Sequence, residues 1–419
     1  MRAATLVSAL FWTAASAQTI LPPQRGAESF SRGSLGVLKC EVRQLPPELD
    51  FSFRFRAGYS VSVPLNQYHG AGHRWTVLVR LQSAAAGQPV YFVDRLRLPD
   101  VPSTRITGEA GGGYLLGLGS YRASFLLRDD QSRTCRAEWN IDARLRPADR
   151  HVKLAMERGT AAELSLRGWR SEGPVADPPL SRLTVLLNAA PVGLSRSTMQ
   201  ASDAVTLLGA LSSLLRLAPA DSVRLVVFNL DRQKEIYRKD HFTLDQLDAV
   251  RQAIFNLQLG VVDYQTLRHP EGRADLLEGL VNRELEAEDR ADAVVFLGPH
   301  ARWEDRPAPA IGTRGASTPR FFYLEYQQPA TLASAVARGR GRMGRATSLR
   351  DIPSGVNAQG DVFNTYPTDD GLWASATPFL PDTPHDTIDR LVAGLKGKTL
   401  VVTTPSEFSR AMKQISGGK

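Results

Sequence analysis

The chain is poor in cysteine, in lysine and in long apolar runs, and each shortage excludes a class of protein. Its 419 residues include two cysteines, too few for a zinc site built on cysteine. Lysine supplies eight of the 51 basic residues, so the net charge of +8 rests mainly on arginine. After the N-terminal segment, no run approaches the ~18 apolar residues of a membrane-spanning helix. The 42% of hydrophobic residues still suffices for a globular protein of two or three domains.

The N-terminal segment has the three parts of a secretory signal peptide. Met1 and Arg2 precede an apolar run over residues 3–12, and Ala15-Ser16-Ala17 supplies the small residues of a cleavage site. We expect cleavage after Ala17 and export to the periplasm or the extracellular space. In that oxidising environment, Cys40 and Cys135 are expected to form a disulfide. Residues 18–33, with Pro22-Pro23, are predicted to be a linker.

Residues 34–147 predict an all-β sandwich of the immunoglobulin-like kind. Phe51–Arg56 and Tyr59–Val63 alternate apolar and polar residues, as half-buried strands do. Turn signals at Pro46-Pro47 and at Gly111–Gly113 separate short strands at the spacing of a sandwich. Trp75 and Trp139 are predicted core aromatics. Residues 148–180 are rich in proline, arginine and glycine and are expected to form a domain junction.

From residue 181 to residue 416, apolar strands alternate with amphipathic helices. The predicted strands are Leu183–Leu187, Val223–Asn229, Glu235–Tyr237, Ala293–Leu297, Phe321–Tyr326 and Thr399–Thr403. The predicted helices are 202–217, 244–257, 272–288, 385–396 and a last one that begins at Thr404. This alternation predicts a parallel sheet covered by helices on both faces. A long insertion, 327–384, interrupts it.

The order of these elements resembles a von Willebrand factor A (VWA) domain. The closing segments Asp386–Leu395, Gly397–Val402 and Ser406–Ile415 are similar to those of exported bacterial proteins called VWFA-related. The resemblance implies a multidomain chain in which the β-sandwich precedes a C-terminal α/β doubly wound, Rossmann-type VWA-like domain over 181–416. It also implies a binding site at the carboxyl ends of the strands, where open α/β sheets bind ligands.

The same resemblance implies that the family's metal site is degenerate. Its first motif, Asp-x-Ser-x-Ser, is matched by Asn188, Ala190 and Val192, and its threonine by Thr266. The turn Phe296–Pro299 has no carboxylate where the family has an aspartate. A hard divalent cation needs several oxygen ligands. We therefore expect neither a metal at these positions nor a cofactor.

We expect a non-catalytic protein-binding or scaffold module outside the cytoplasm, with no nucleic-acid partner. The residues expected to contact the partner are Asn188, Ala189, Pro191, Gly298, Pro299, His300, Arg338, Arg340, Arg342 and Arg345. One alternative is an adhesin that binds an acidic surface polymer through the arginines of the insertion. Another is an enzyme with its chemistry in the same insertion, at Asp351, Asp361, Asp369, Asp370 and His385.

Overall fold

The structure is a computed structural model, and it describes most of the chain. The described residues are 19–85, 87–98, 107–164, 178–192, 199, 201–257, 268–269, 271–301, 303, 318–327, 355–356, 362–363 and 386–417. The predicted signal peptide, residues 1–17, lies outside them.

The N-terminal half forms two sheets that enclose one core. The first sheet has the order β1-β6-β5-β8-β9-β2 and the second has the order β10-β7-β4-β3. Trp75, Tyr59 and Phe125 are buried between them. The strands are β1 (Thr19–Leu21), β2 (Gly36–Val37), β3 (Glu41–Leu49), β4 (Phe55–Pro64), β5 (Arg74–Ser83), β6 (Val90–Arg97), β7 (Thr107–Leu116), β8 (Gly119–Asp129), β9 (Arg133–Ala143) and β10 (Ala161–Glu163).

A third sheet follows, with the order β13-β12-β11-β14-β15-β18. Its strands are parallel except for the edge pair β12–β13, which is antiparallel. They are β11 (Leu180–Asn188), β12 (Ala220–Asn229), β13 (Lys234–Lys239), β14 (Ala293–Pro299), β15 (Arg320–Tyr326) and β18 (Lys398–Val402). The short strands β16 (Gly355–Val356) and β17 (Val362–Phe363) pair with each other.

Six α-helices are described. They are α1 (Pro23–Ser31), α2 (Ala201–Leu217), α3 (Leu247–Phe255), α4 (Gly272–Glu286), α5 (Thr387–Gly394) and α6 (Pro405–Ile415), with 3-10 turns at Leu65–Gln67, Pro147–Asp149 and Leu244–Gln246. The periods of the apolar residues predicted the five helices from α2 to α6, and the structure confirms them to within a few residues.

Alternate residues of the third sheet face opposite clusters. Leu183, Val185 and Leu187 of β11 join one buried cluster with α2, α3 and α6. Leu186, between them in sequence, joins the other cluster with α4 and α5. This alternation follows from the two-residue period of a strand. It also places Asn188, Gly298 and Glu325 on the same face as the second cluster.

The fold class predicted from the sequence is wrong. Strand is the commonest state among the described residues, with 43% in strands and 27% in helices, and the strands form three main sheets. No clearly separate doubly wound α/β domain of the VWA type is evident among the described residues. Phe51, Phe53 and Val152, from the N-terminal half, lie in the same buried cluster as the strands of the third sheet. The chain is a strand-rich multidomain protein in which a few residues of the N-terminal half pack into a core of the third sheet.

Two local predictions also differ from the structure, because tertiary contacts decide them. Phe51–Arg54 is a turn rather than a strand, and Phe53 has a φ of 58° there. Because the backbone turns, Phe51 and Phe53 both pack into the core of the third sheet. Gly111–Gly113 lies inside β7 rather than in a turn, paired with β4. A Cβ at Gly112 would lie 2.4 Å from the hydroxyl of Tyr59, so this close packing requires glycine.

The N-terminal segment and the proline pair also differ from expectation. Residues 18–33, predicted to be a linker, contain β1 and α1 instead. β1 pairs with β6, and the ring of Phe30 in α1 lies 6.4 Å from that of Tyr91. Pro46 and Pro47 lie inside β3, where the register with β4 shifts between Leu45 and Glu48. A bulge on an edge strand tolerates proline because fewer of its backbone N–H groups must donate hydrogen bonds to a neighbouring strand.

The disulfide expected from the cysteine count is present. Cys40 and Cys135 are bonded, with their Cα atoms 6.2 Å apart. A structural disulfide is a sign of a non-cytoplasmic environment. Within the described part of the chain, none of the helices combines the length and the apolar character needed to span a membrane.

Candidate functional site

The candidate site lies at the carboxyl edge of the third sheet, where its parallel strands end. β11 ends at Asn188, β14 at Pro299 and β15 at Tyr326. Gly298 is the register partner of Glu325, and it lies beside Asn188. Parallel strands end at a common edge, which is the usual ligand position of such sheets.

Three titratable side chains converge at this edge. His300 follows β14, Glu325 is the next-to-last residue of β15, and Asp386 precedes α5. The Nδ1 atom of His300 lies 3.2 Å from Oε1 of Glu325 and 3.6 Å from Oδ2 of Asp386. Both carboxylates are buried, and the imidazole is half-buried. The three potential ligand atoms all lie within 4.8 Å of one another.

Backbone and hydroxyl donors hold Asp386 in place. Its Oδ1 accepts a hydrogen bond from the backbone N–H of Asp389 (2.8 Å), which makes it the N-cap of α5. Its Oδ2 accepts from the N–H of Ala301 (2.6 Å) and is 2.9 Å from the hydroxyl of Tyr323. That hydroxyl is also 2.9 Å from the carbonyl oxygen of Pro299. The helix start, the end of β14 and the middle of β15 are therefore joined through one carboxylate.

The electrostatics of the three groups are mutually dependent. Burial opposes the charged imidazole, but the hydrogen bond to Glu325 and the negative charges of Asp386 and Glu325 outweigh it and raise the pKa of His300. Burial raises the pKa of Asp386, although the N–H groups of Asp389 and Ala301 stabilise its charged form. Burial, reinforced by Asp386, raises the pKa of Tyr323 well above its ordinary value. The tyrosine is a neutral hydrogen-bonding group.

Asn188 adds an unusual polar group to the same edge. Its side chain is 1% exposed, and neither amide atom has a hydrogen-bond partner among the described residues. Asn229, at the end of the neighbouring strand β12, is also buried but is fully engaged. Its Nδ2 donates to the carbonyl of Ala189 (2.7 Å), and its Oδ1 accepts from the N–H of Arg232 (2.8 Å). Buried polar atoms are rarely left without partners, and each one that is calls for an explanation.

Gly298 provides the space between Asn188 and Glu325. A Cβ placed on it would lie 2.8 Å from the Cβ of Asn188 and 3.1 Å from its carbonyl oxygen. Any larger residue would push against the backbone of β11. The glycine thus permits the close approach of two strand ends at the edge.

The structure brings together some of the residues predicted from the sequence and buries others. Asn188 and His300 lie at the predicted edge. Ala189, Pro191, Gly298 and Pro299 lie at or beside the same edge and are buried, as Asn188 is. Ala190 and Val192, the positions matched to the metal motif, are half-buried.

Several predicted residues lie outside the described part of the chain, and the proposals made for them stay predictions. They are Thr266 of the metal motif, the arginines Arg338, Arg340, Arg342 and Arg345, and the acidic and histidine set Asp351, Asp361, Asp369, Asp370 and His385.

Glu325 and Asp386 were missed by the sequence reasoning. Glu325 is the only charged residue within the apolar run Phe321–Tyr326, and a lone carboxylate in a buried strand is a usable signal of a special role. Asp386 gives a weaker signal, because an aspartate before a helix is an ordinary N-cap. Its proximity to His300 depends on the packing of α5 against β15, which no local pattern specifies.

Comparisons with known proteins assign the chain to no family. No protein-family model matches it, and a search of curated proteins found no match. Among solved structures, it is similar to a protein provisionally named ApaA from Bordetella pertussis, with 14% identity over 30% of this chain and 96% of that one. It is also similar to a structural genomics target solved by X-ray crystallography, with 12% identity over 30% and 99% of the two chains. Both TM-scores are 0.17, and neither likeness carries an argument about function.

Proposed function

We propose that the protein is a non-catalytic binding module that acts outside the cytoplasm and engages a protein ligand at the carboxyl edge of the third sheet. The observation that carries the proposal is the buried amide of Asn188, which has no partner among the described residues. Leaving such a group unpaired costs about 1–3 kcal/mol. A ligand that supplies the missing hydrogen bonds would recover this cost.

Two further observations support a binding role. His300 is half-buried at the same edge, and its contacts in the described part of the chain are to two carboxylates rather than to a hydroxyl or thiol nucleophile. This arrangement lacks the nucleophile–base pair of covalent catalysis. The Cys40–Cys135 disulfide supports action outside the cytoplasm, and the signal-like residues 1–17 supply a route of export.

A site-specific photo-crosslinking experiment tests the proposal. A photoreactive residue is placed at Gln327, at the carboxyl end of β15, in the disulfide-bonded chain from residue 18 onward. The matched control places it at Lys398, an exposed residue at the opposite end of the adjacent strand β18. After irradiation in an extracytoplasmic extract of the source cells, we expect a discrete adduct from position 327 alone.

Second-site variants connect the adduct to the edge. We expect Asn188→Leu and His300→Ala each to reduce the 327 adduct at least tenfold, because they remove the polar groups of the edge. Lys413→Ala, on the exposed side of α6, should leave the adduct unchanged. Equal adducts from positions 327 and 398, or an adduct that survives both edge substitutions, would overturn the proposal.

A further inference from the structure

We propose that His300, Glu325 and Asp386 bind one divalent transition-metal ion of the Zn²⁺ type. This site differs from the positions matched to the family's metal motif, Asn188, Ala190, Val192 and Thr266, where no metal is expected. The inference rests on the proposed function only in placing a ligand at the same edge of the sheet, and it adds the chemistry of a first ligand there.

The donor set and its spacing fit such an ion. One imidazole nitrogen and two carboxylate oxygens lie within 4.8 Å of one another, with His300 Nδ1 at 3.2 Å and 3.6 Å from the two oxygens. Zinc holds nitrogen and oxygen ligands at ~2.0–2.2 Å in tetrahedral geometry, which separates the ligands by roughly 3.3 Å. Two of the three donor separations are therefore close to the tetrahedral value, and the third, between the two carboxylates, is at most 4.8 Å. The three donors leave a fourth position for water or for a ligand group.

The charge balance of the cluster favours a cation. Glu325 and Asp386 have side chains that are 5% and 0% exposed, and among the described residues one imidazole, that of His300, faces both. Even a protonated His300 would leave one negative charge without compensation from this group. Buried charges are normally paired or coordinated to metal ions, because desolvation of an isolated charge is costly. A dication would neutralise both carboxylates and release the proton that joins His300 to Glu325.

Neighbouring groups already orient the two carboxylates. The N–H of Ala301 and the hydroxyl of Tyr323 bind Oδ2 of Asp386, and the side-chain amide of Gln327 donates to Oε1 of Glu325 at 3.1 Å. Such outer hydrogen bonds fix the direction of metal-binding carboxylates. On the same face, beyond Gly298, Asn188 offers a buried amide without a partner among the described residues.

The imidazole identifies the class of ion. Mg²⁺ and Ca²⁺ select sites made of oxygen ligands, and Mg²⁺ also retains several waters. A nitrogen donor beside two carboxylates suits Zn²⁺ and its neighbours in the transition series. Co²⁺ takes the same ligands and absorbs visible light, so it can report on the site directly.

The test is a titration of the chain from residue 18 onward after removal of metal with a chelator. We expect Co²⁺ to produce visible absorption bands that saturate at one equivalent, and one equivalent of Zn²⁺ to displace it. His300→Gln and Glu325→Gln should each weaken binding by tenfold or more. Tyr323→Phe keeps all three donors but removes one orienting hydrogen bond, and it should weaken binding less than the loss of a donor does.

His73→Gln is the matched control. Its Nδ1 lies 3.1 Å from Oδ2 of Asp130, so it is also a histidine–carboxylate pair, but it belongs to no three-ligand group among the described residues. We expect its titration to equal that of the unsubstituted chain. Circular dichroism of each variant shows that lost binding does not reflect unfolding.

Two results would overturn the metal site: no saturable Co²⁺ bands in the unsubstituted chain, or unchanged affinity in folded His300→Gln. Repeating the crosslinking experiment in the presence of a chelator tests the proposed function separately from the metal site. An adduct at position 327 without metal would leave the binding role standing after the metal site had failed. Saturable Co²⁺ binding with no adduct at position 327 would support the metal site and overturn the proposed function.

Discussion

Asn188 and Asn229 are neighbouring amides at one sheet edge, and they differ only in what surrounds them. Both are almost fully buried, but Asn229 forms two hydrogen bonds, whereas Asn188 forms none within the described residues. A buried polar group without partners carries a desolvation cost that folding does not recover. Within the described residues, the amide of Asn188 therefore lowers the stability of the fold, as functional residues often do.

We expect Asn188→Leu to raise the free energy of unfolding by about 1–3 kcal/mol, because it removes the unpaired amide from a buried position. Urea denaturation of the disulfide-bonded chain measures the change. Asn229→Leu is the control and should destabilise the chain, since it leaves the carbonyl of Ala189 and the N–H of Arg232 without partners. If both substitutions destabilise equally, Asn188 is a structural residue and the binding proposal loses its main support.

For single residues, the sequence predicted where a side chain lies better than which side chains it contacts. His300 and Asn188 could be placed at the carboxyl edge because each follows a clearly apolar strand. The partners of His300 could not be predicted in this way, since Glu325 and Asp386 come from β15 and from the start of α5. Their convergence depends on the packing of that helix beside the sheet, where Tyr323 and Asp386 share a hydrogen bond. Long-range side-chain contacts of this kind leave no periodic signal in the sequence.

At the scale of elements, two helix starts carry the same capping motif with different chemistry. At α6, Glu407 accepts hydrogen bonds from the N–H groups of Thr403 (2.8 Å) and Thr404 (3.1 Å). Before α3, the N–H of Thr243 donates to the neutral side chain of Gln246 at 3.3 Å. Burial opposes the charge of Glu407, but the donors of Thr403 and Thr404 outweigh it and lower the pKa of Glu407. Only the α6 cap should depend on pH.

We expect Glu407→Gln to lower the free energy of unfolding by about 0.5–1 kcal/mol at neutral pH, since the cap is only partly buried. Because the folded pKa lies below the ordinary value of 4.5, the carboxylate contributes fully above that pH. Its contribution is lost as the pH falls through the folded pKa. The difference between Glu407→Gln and the unsubstituted chain should therefore shrink toward zero in acid, as measured by urea denaturation at stepped pH.

The neutral cap provides the comparison for that prediction. Gln246→Ala removes an acceptor that does not titrate, so its destabilisation should stay constant over the same pH range. A Glu407→Gln effect that is equally constant would mean that the charge of Glu407 contributes nothing to the cap.

Local patterns succeeded for elements wherever one face of an element is buried against one neighbour. The helices α2 to α6 and the strands of the third sheet lie close to their predicted bounds for this reason. The patterns failed at Phe51–Arg54, where two alternating phenylalanines share a side because the backbone turns. They also failed at Gly111–Gly113, where glycine permits close packing on Tyr59 rather than a turn. In both places a contact distant in sequence overrides the local preference.

At the scale of the whole molecule, the sandwich and the third sheet are joined through an aromatic cluster. Phe51, from the turn before β4, has its ring 5.4 Å from that of Phe408 in α6 and 5.8 Å from that of Tyr326 in β15. Asp149, from the end of the sandwich, accepts a hydrogen bond from the N–H of Ser406 at 3.2 Å. The domain bounds predicted from the sequence took no account of these contacts. Alternation alone does not reveal which sheet an apolar residue will contact.

We expect Phe51→Ala to cost about 3–5 kcal/mol, because it removes a large buried ring. The loss should extend beyond its own segment, since Phe408 and Tyr326 lose the same contact. Hydrogen exchange followed by mass spectrometry should show faster exchange in α6 and β15 as well as in the sandwich. Phe30→Ala is the control: its ring packs against the first sheet, so exchange should rise around α1 and that sheet and stay unchanged in α6 and β15. If the Phe51→Ala effect stays within the sandwich, the two parts of the chain fold independently and the shared cluster does not couple them.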